Sequence, residues 1–191
     1  RRSRLRDDLV EPLLERLNTE YRTVRPFERT AGDEVQGVLD DGTEAVRLAL
    51  DVAASGEWST GIGVGAVRTP LPRQTRAGAG PAFEHARDAV ERAKNAAGAL
   101  AVAGPGPEAA RLEAELQLVA SVQRRRTDAS AEAGRLVAEG LSQREAAERL
   151  GVSQQAVSSR LASGLWYECR ALADVAGRAL DEYSTRIDEG E

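Results

Sequence analysis

The 191-residue sequence holds one cysteine, one histidine and no methionine. With Cys169 alone there is no intramolecular disulfide framework and no zinc ribbon, and with His85 as the only histidine there is no His-rich metal site and no Cys-His-Asn triad. No apolar run approaches the roughly 18 to 20 residues of a membrane span, which predicts a soluble chain with no membrane partner. No basic-then-apolar leader opens the sequence, and the low cysteine count suits a reducing compartment, so a cytoplasmic location is expected. Arg1 stands where an initiator would, an opening expected of a processed or truncated chain. Lysine is nearly absent: Lys94 is the only one among 26 basic residues, and this arginine bias with abundant Ala and Gly is typical of a high-GC bacterial coding sequence. A formal charge of −5 argues against a protein that coats nucleic acid through a global positive field, and leaves room for a local basic face.

What is present divides near residue 104. Leu5, Leu9, Leu13, Leu17 and Tyr21 fall at i, i+4 spacing and predict an amphipathic helix over 4–21, with Pro26 barring its continuation. Short segments on either side of Gly32-Asp33 predict a β-hairpin over 27–39. Asp41 and Thr43 are a turn-plus-cap signal for a helix over 44–54, whose crowded Val46, Leu48, Leu50 and Val52 should pack on a sheet. Residues 58–67 alternate Ile62, Val64 and Ala66 with Gly61, Gly63 and Gly65, a strand whose glycine face permits close approach of another backbone. A loop over 69–80, a helix from Pro81 to about 97 and a short strand over 99–103 complete this part. Gly104-Pro105-Gly106-Pro107 reads as a linker, so the expected domains are 1–104 and 105–191, the second all helical. Leu165 to Ile187 carries an apolar stripe that suits a dimer helix or intramolecular packing equally.

The strongest motif runs from Gly140 to Leu161. Ser142 and Glu145 have capping-box spacing, and Arg144–Glu148 and Glu145–Arg149 are spaced for i, i+4 ion pairs. Ala147 is small where a second helix must cross, Gly151 supplies a positive φ, Val152 plugs the space between helices and Ser153 caps the next helix. Val157 and Leu161 then face the core, which turns Gln155 and Ser159 outward, flanked by Gln154, Ser158 and Arg160. This pattern predicts a helix-turn-helix over 142–161 whose DNA-facing residues are Ser142, Gln143, Arg144, Ser153, Gln154, Gln155, Ser158, Ser159 and Arg160. Gln pairs bidentately with adenine, and a helix N-terminus attracts phosphate. The segment resembles the helix-turn-helix of sigma-factor region 4 and related response regulators. With Arg160 the only cation on the second helix, neutralisation of double-stranded DNA is expected from Arg124, Arg125, Arg126, Arg135 and Arg144, and from a homodimer that doubles the contacts. The alternative is a three-helix bundle for protein contacts, for example with RNA polymerase.

Thr30 to Leu39, with Gly32-Asp33-Glu34, resembles the hairpin of GGDEF diguanylate cyclases and, more distantly, of class III nucleotide cyclases; Gly61–Val67 and Gly80–Ala89 resemble their later strand and following helix. The resemblance implies a small ferredoxin-like, nucleotide-cyclase-like α/β domain. In those enzymes the hairpin acids hold Mg²⁺ together with a carboxylate at the end of a first strand, so Asp33 and Glu34 would be the retained acids and Arg87 matches the enzymes' helix arginine. No strand bearing the partner carboxylate precedes the first helix, Ala31 replaces a glycine and Phe83 stands where class III enzymes tend to carry Asn. The expectation is therefore a degenerate, non-catalytic domain with no cofactor, its remnant ligand or metal pocket near Asp33, Glu34, Arg87 and the Arg68–Arg76 loop, and His85 structural. Mg²⁺ enters only if that site is functional, as an Mg²⁺-dependent nucleotide cyclase-like phosphoryl-transfer enzyme. The two halves together resemble the bacterial SatD family, whose members begin with a strand just before the first helix and carry a DNA-binding tail. This implies an α+β chain acting as a sequence-specific DNA-binding transcriptional regulator, with the N-terminal domain serving dimerisation or sensing of a nucleotide ligand.

Overall fold

The structure, a computed structural model, describes residues 2–190, and side chains over 9–190. It is mixed α/β and mostly helical, in the order α1 (Arg2–Glu20), β1 (Arg25–Arg29), β2 (Val35–Val38), α2 (Gly42–Ala54), β3 (Thr60–Gly63), a 3₁₀ turn (Thr75–Ala77), α3 (Pro81–Ala93), β4 (Leu100–Ala103), α4 (Glu108–Arg125), α5 (Asp128–Ala138), α6 (Gln143–Leu150), α7 (Gln154–Ser163) and α8 (Trp166–Glu189). No described helix is long and apolar enough to cross a membrane.

The expected N-terminal helix forms, but its buried stripe is Val10, Leu13, Leu17 and Tyr21, while Leu9 is exposed. Leu5 lies outside the described side chains. The hairpin also forms: β1 and β2 pair antiparallel, with Glu28 opposite Gln36 and Arg29 opposite Val35. Its turn closes through Thr30 N–H to the Glu34 carbonyl and Glu34 N–H to the Ala31 carbonyl, around Gly32 at φ +58°.

Strand β3 pairs in parallel with β4, so the strands make two separate two-stranded sheets. A ferredoxin-like layout would join them in one sheet. The segment expected as a ten-residue strand gives four residues of β3, and the helix expected to reach 97 ends at Ala93. The glycine face does what its pattern predicts. A Cβ on Gly61 would lie 2.4 Å from the Val90 nitrogen, and one on Gly63 would lie 2.1 Å from the Ala86 nitrogen, so the backbone of α3 rests directly on β3.

Helix α2 opens at Asp41, whose carboxylate accepts the Glu44 N–H at 2.9 Å. It buries two faces. Val46, Ala49, Leu50 and Ala53 enter the main core, while Leu48 and Val52 pack with Leu13 and Leu17 of α1 and with Tyr21 just past its end. Between α1 and α2, the Asp51 carboxylate accepts hydrogen bonds from Arg16 at 2.6 Å and from the Tyr21 hydroxyl at 2.9 Å. Burial, with Asp51 beside it, pushes the Tyr21 phenol well above its ordinary range.

The linker at 104–107 does not separate two cores. Leu112, Leu116 and Val119 of α4 and Cys169, Ala176, Leu180 and Tyr183 of α8 join α2, β3 and β4 in one cluster. The reason is β4: all four of its residues are buried, Ala101 and Ala103 against α3 and Leu100 and Val102 in the cluster that α4 joins. Glu113 of α4 accepts the Val102 N–H at 2.8 Å, and Arg92 of α3 donates to the Val102 carbonyl at 2.8 Å and to Glu113, so the outer edge of β4 is closed by side chains. The Tyr183 hydroxyl donates to the Pro105 carbonyl. The C-terminal apolar stripe is therefore intramolecular core and is not open to a second copy. A separate cluster lies further along: Ala133, Leu136, Ala146, Ala147, Val157 and Leu161 of α5, α6 and α7, with Trp166 packed against it.

Candidate nucleic-acid interface

The α5–α7 unit is small, and its geometry is set by local chemistry. Ser142 Oγ accepts the Glu145 N–H at 3.2 Å, while the Glu145 carboxylate accepts the Ser142 N–H at 2.8 Å and its hydroxyl at 2.7 Å, a complete capping box. The Ser142 hydroxyl, then its backbone N–H, hold the Glu145 carboxyl below the usual carboxylate range. Among the described residues the expected Arg144–Glu148 and Glu145–Arg149 ion pairs do not form. Glu145 is turned back onto the cap, which leaves Arg149 exposed and without an ion pair.

Gly151 takes φ +64° and ψ +32°, and the next N–H, from Val152, returns to the Ala147 carbonyl at 3.0 Å. Ser153 caps α7 by accepting the Ala156 N–H at 3.1 Å. Val157 and Leu161 are fully buried, and Val152 packs beside them. Burial of such side chains stabilises by about 1.5–3 kcal/mol each, enough to fix which face of α7 points inward.

The outward face is the one the spacing predicts. Gln154, Gln155, Ser158 and Ser159 are exposed, Arg160 is half-buried, and among the described residues none of these five side chains is engaged in a hydrogen bond or ion pair. Two amides and two hydroxyls thus stand on one helix with free donors and acceptors. Ser142 is spent on its cap, and Arg144 is exposed without an ion pair. Gln143 is half-buried and donates to the Tyr167 hydroxyl at 3.2 Å, linking α6 to the start of α8. The sequence reading missed Tyr167, which gives no signal in a helix-turn-helix pattern that ends before it.

The arginine run divides in the fold. Arg124 donates to the Ala53 carbonyl at the end of α2 at 2.8 Å, and Arg126 binds the carbonyl of Gly164 at 2.7 Å, so both are engaged internally. Arg135 pairs with Glu139. Arg125 alone of the run has neither a hydrogen bond nor an ion pair among the described residues. Among the described residues, the cations of α4–α7 with neither a hydrogen bond nor an ion pair are Arg125, Arg144, Arg149 and Arg160.

In the N-terminal part, Asp33 is half-buried and Glu34 exposed at the hairpin tip. The Lys94 ammonium lies 3.9 Å from Glu34 and 2.5 Å from Glu91. Arg87 is exposed on α3, and no described group of three His, Cys, Asp or Glu side chains comes together. The Lys94 ammonium beside Glu34 opposes a divalent cation at the hairpin tip. The 70–77 loop docks on the hairpin: Arg25 donates to the carbonyls of Leu71 and Pro72, and the buried Thr75 hydroxyl to that of Pro26 at 2.6 Å. His85 is bound at Nδ1 to the Val64 carbonyl at 2.7 Å, a structural contact. No family model matches this chain, and no curated protein and no solved structure matches it.

Proposed function

We propose that the chain is a sequence-specific DNA-binding transcriptional regulator, in which α6 and α7 act as a helix-turn-helix and α7 enters the major groove. One observation carries this reading: α7 is fixed by a buried Val157–Leu161 face, while Gln154, Gln155, Ser158 and Ser159 project with unsatisfied hydrogen-bonding groups. Gln155 would read adenine, and the capped N-terminus of α7 at Ser153 would take a phosphate. The N-terminal part would serve dimerisation or nucleotide sensing in the cytoplasm. Its order of helix, hairpin, helix and strand is compatible with a cyclase-like, ferredoxin-type reading of this part, against which the separation of its strands into two sheets counts.

Mobility shift of DNA from the protein's own promoter region tests the proposal. With Arg125, Arg144, Arg149 and Arg160 as the cations, the log–log salt slope should be no steeper than about −4 per chain. Gln155→Ala with Ser159→Ala should cost about 1–3 kcal/mol per lost base contact on the preferred sequence and leave non-specific binding unchanged. A chain that shifts no promoter DNA at low salt, or a double variant with unaltered preference, refutes it.

A further inference from the structure

The main chain passes between the α5–α7 unit and the larger core at two places, Arg126-Thr127 between α4 and α5, and Gly164-Leu165 between α7 and α8. One side chain joins them. Arg126 is the C-cap residue of α4; its Nε donates to the Gly164 carbonyl at 2.7 Å, and an Nη donates to the Leu165 carbonyl at 3.4 Å. A planar guanidinium can serve two carbonyls at once, which an ammonium does not do in a fixed geometry.

The junction is over-determined around this group. Leu165 turns the corner between α7 and α8 at φ +48°, a conformation a bulky side chain keeps only when its surroundings impose it. Trp166 belongs to α8 yet packs on the α5–α7 cluster. Its ring lies so close to α5 that a Cβ on Gly134 would be 2.2 Å from it, and the Arg126 guanidinium covers the ring with its carbon 4.8 Å from the centroid. The indole is thus clamped between the backbone of α5 and the side chain that closes the crossing. Ser130 of α5 adds a bond from its hydroxyl to the Arg160 carbonyl at 2.8 Å, which fixes α7 on α5 inside the unit; between the unit and α8 stand the Arg126 junction and the exposed Gln143–Tyr167 bond at 3.2 Å.

We propose that Arg126 is a positioning residue that locks the orientation of α7 on α8. Resting on the DNA-binding reading above, its consequence is that α7 is presented in one attitude, so that no binding energy is spent selecting that attitude from many. If release lets the unit sample about ten attitudes of which one is competent, affinity falls about tenfold. Arg126 touches no DNA in this account.

The test uses the full chain with the buried Cys169 left in place, and spin labels at Leu118→Cys on α4 and Glu148→Cys on α6, both exposed positions. The parent should give a narrow interlabel distance distribution. Arg126→Ala should broaden it with the far-ultraviolet helix signal retained, and Arg126→Lys should give an intermediate width. Should the Ala variant lose helix signal, Arg126→Gln, which keeps one donor near the carbonyls, decides by the same readout. DNA affinity should fall about tenfold in Arg126→Ala with the salt slope unchanged. An unaltered distance distribution overturns the proposal. A salt slope reduced by about one also overturns it, because it would make Arg126 a phosphate contact. Broadening in a chain whose parent binds no DNA upholds the lock and removes the DNA-binding reading alone.

Discussion

Gly134→Ala tests the packing at the junction with a sign as well as a size. Glycine inside an exposed helix is destabilising, and replacing it with alanine ordinarily gains about 1 kcal/mol. Gly134 lies inside α5, so propensity alone predicts stabilisation. Packing predicts the reverse: the new methyl would sit 2.2 Å from two atoms of the Trp166 ring, well inside van der Waals contact. The ring cannot retreat freely, because Arg126 covers it. Overpacking of this kind costs about 1–3 kcal/mol, so the net change should be a loss of up to about 2 kcal/mol once the propensity gain is subtracted.

The background of Trp166→Ala separates the two effects. With the ring gone, the same substitution should gain about 1 kcal/mol, giving a coupling of about 1–3 kcal/mol between positions 134 and 166. Urea unfolding of the four chains, followed by far-ultraviolet circular dichroism, measures it. A Gly134→Ala chain more stable than the parent, or a coupling below about 0.5 kcal/mol, would show that the indole does not lie on α5.

Two further outcomes follow from single bonds. Glu145 has a depressed carboxyl pKa in the folded chain, so its contribution to α6 is present above the ordinary carboxylate value and is lost as pH falls through the folded value; the urea midpoint should drop on acidification from about pH 5 to about pH 3, and Ser142→Ala should flatten that drop, whereas an equal drop in both chains would refute the capping assignment. Glu113→Ala removes the acceptor of the Val102 N–H in a fully buried strand and should cost about 1–3 kcal/mol, with Glu113→Gln, which keeps an acceptor oxygen, costing less; equal losses in the two variants would show that the bond is not what matters.

The features legible in the sequence are those decided within a few residues. The capping box at Ser142, the left-handed Gly151, the cap at Ser153 and the inward Val157–Leu161 pair depend on contacts no more than about one turn away. The hairpin is legible for the same reason. What depended on distant partners was not: the two helical glycines Gly42 and Gly177 mark where α2 crosses α8, since a Cβ on Gly42 would lie 2.7 Å from the Gly177 carbonyl, but neither position announces the other. Likewise a Gly-Pro linker reads as a boundary by its composition, although the strand before it is buried on both faces and requires the helix after it.

The arginine run shows why charge is the least legible property of this chain. Arg124, Arg125 and Arg126 are identical in type and adjacent in sequence, yet two donate to carbonyls at helix ends and one has no described partner. A guanidinium is drawn to whatever unpaired carbonyl lies within reach, and helix C-termini supply those carbonyls in every helical fold. Which arginines are consumed therefore depends on where α2 and α7 end in space. Counting cations from the sequence would credit the unit with phosphate contacts at Arg124 and Arg126 that the fold has committed elsewhere, and would overlook Arg149, which is free because Glu145 closes the cap on Ser142. The inventory of side chains for an anionic partner is thus a product of capping chemistry, and substitutions at the caps should alter it as surely as substitutions of the arginines themselves.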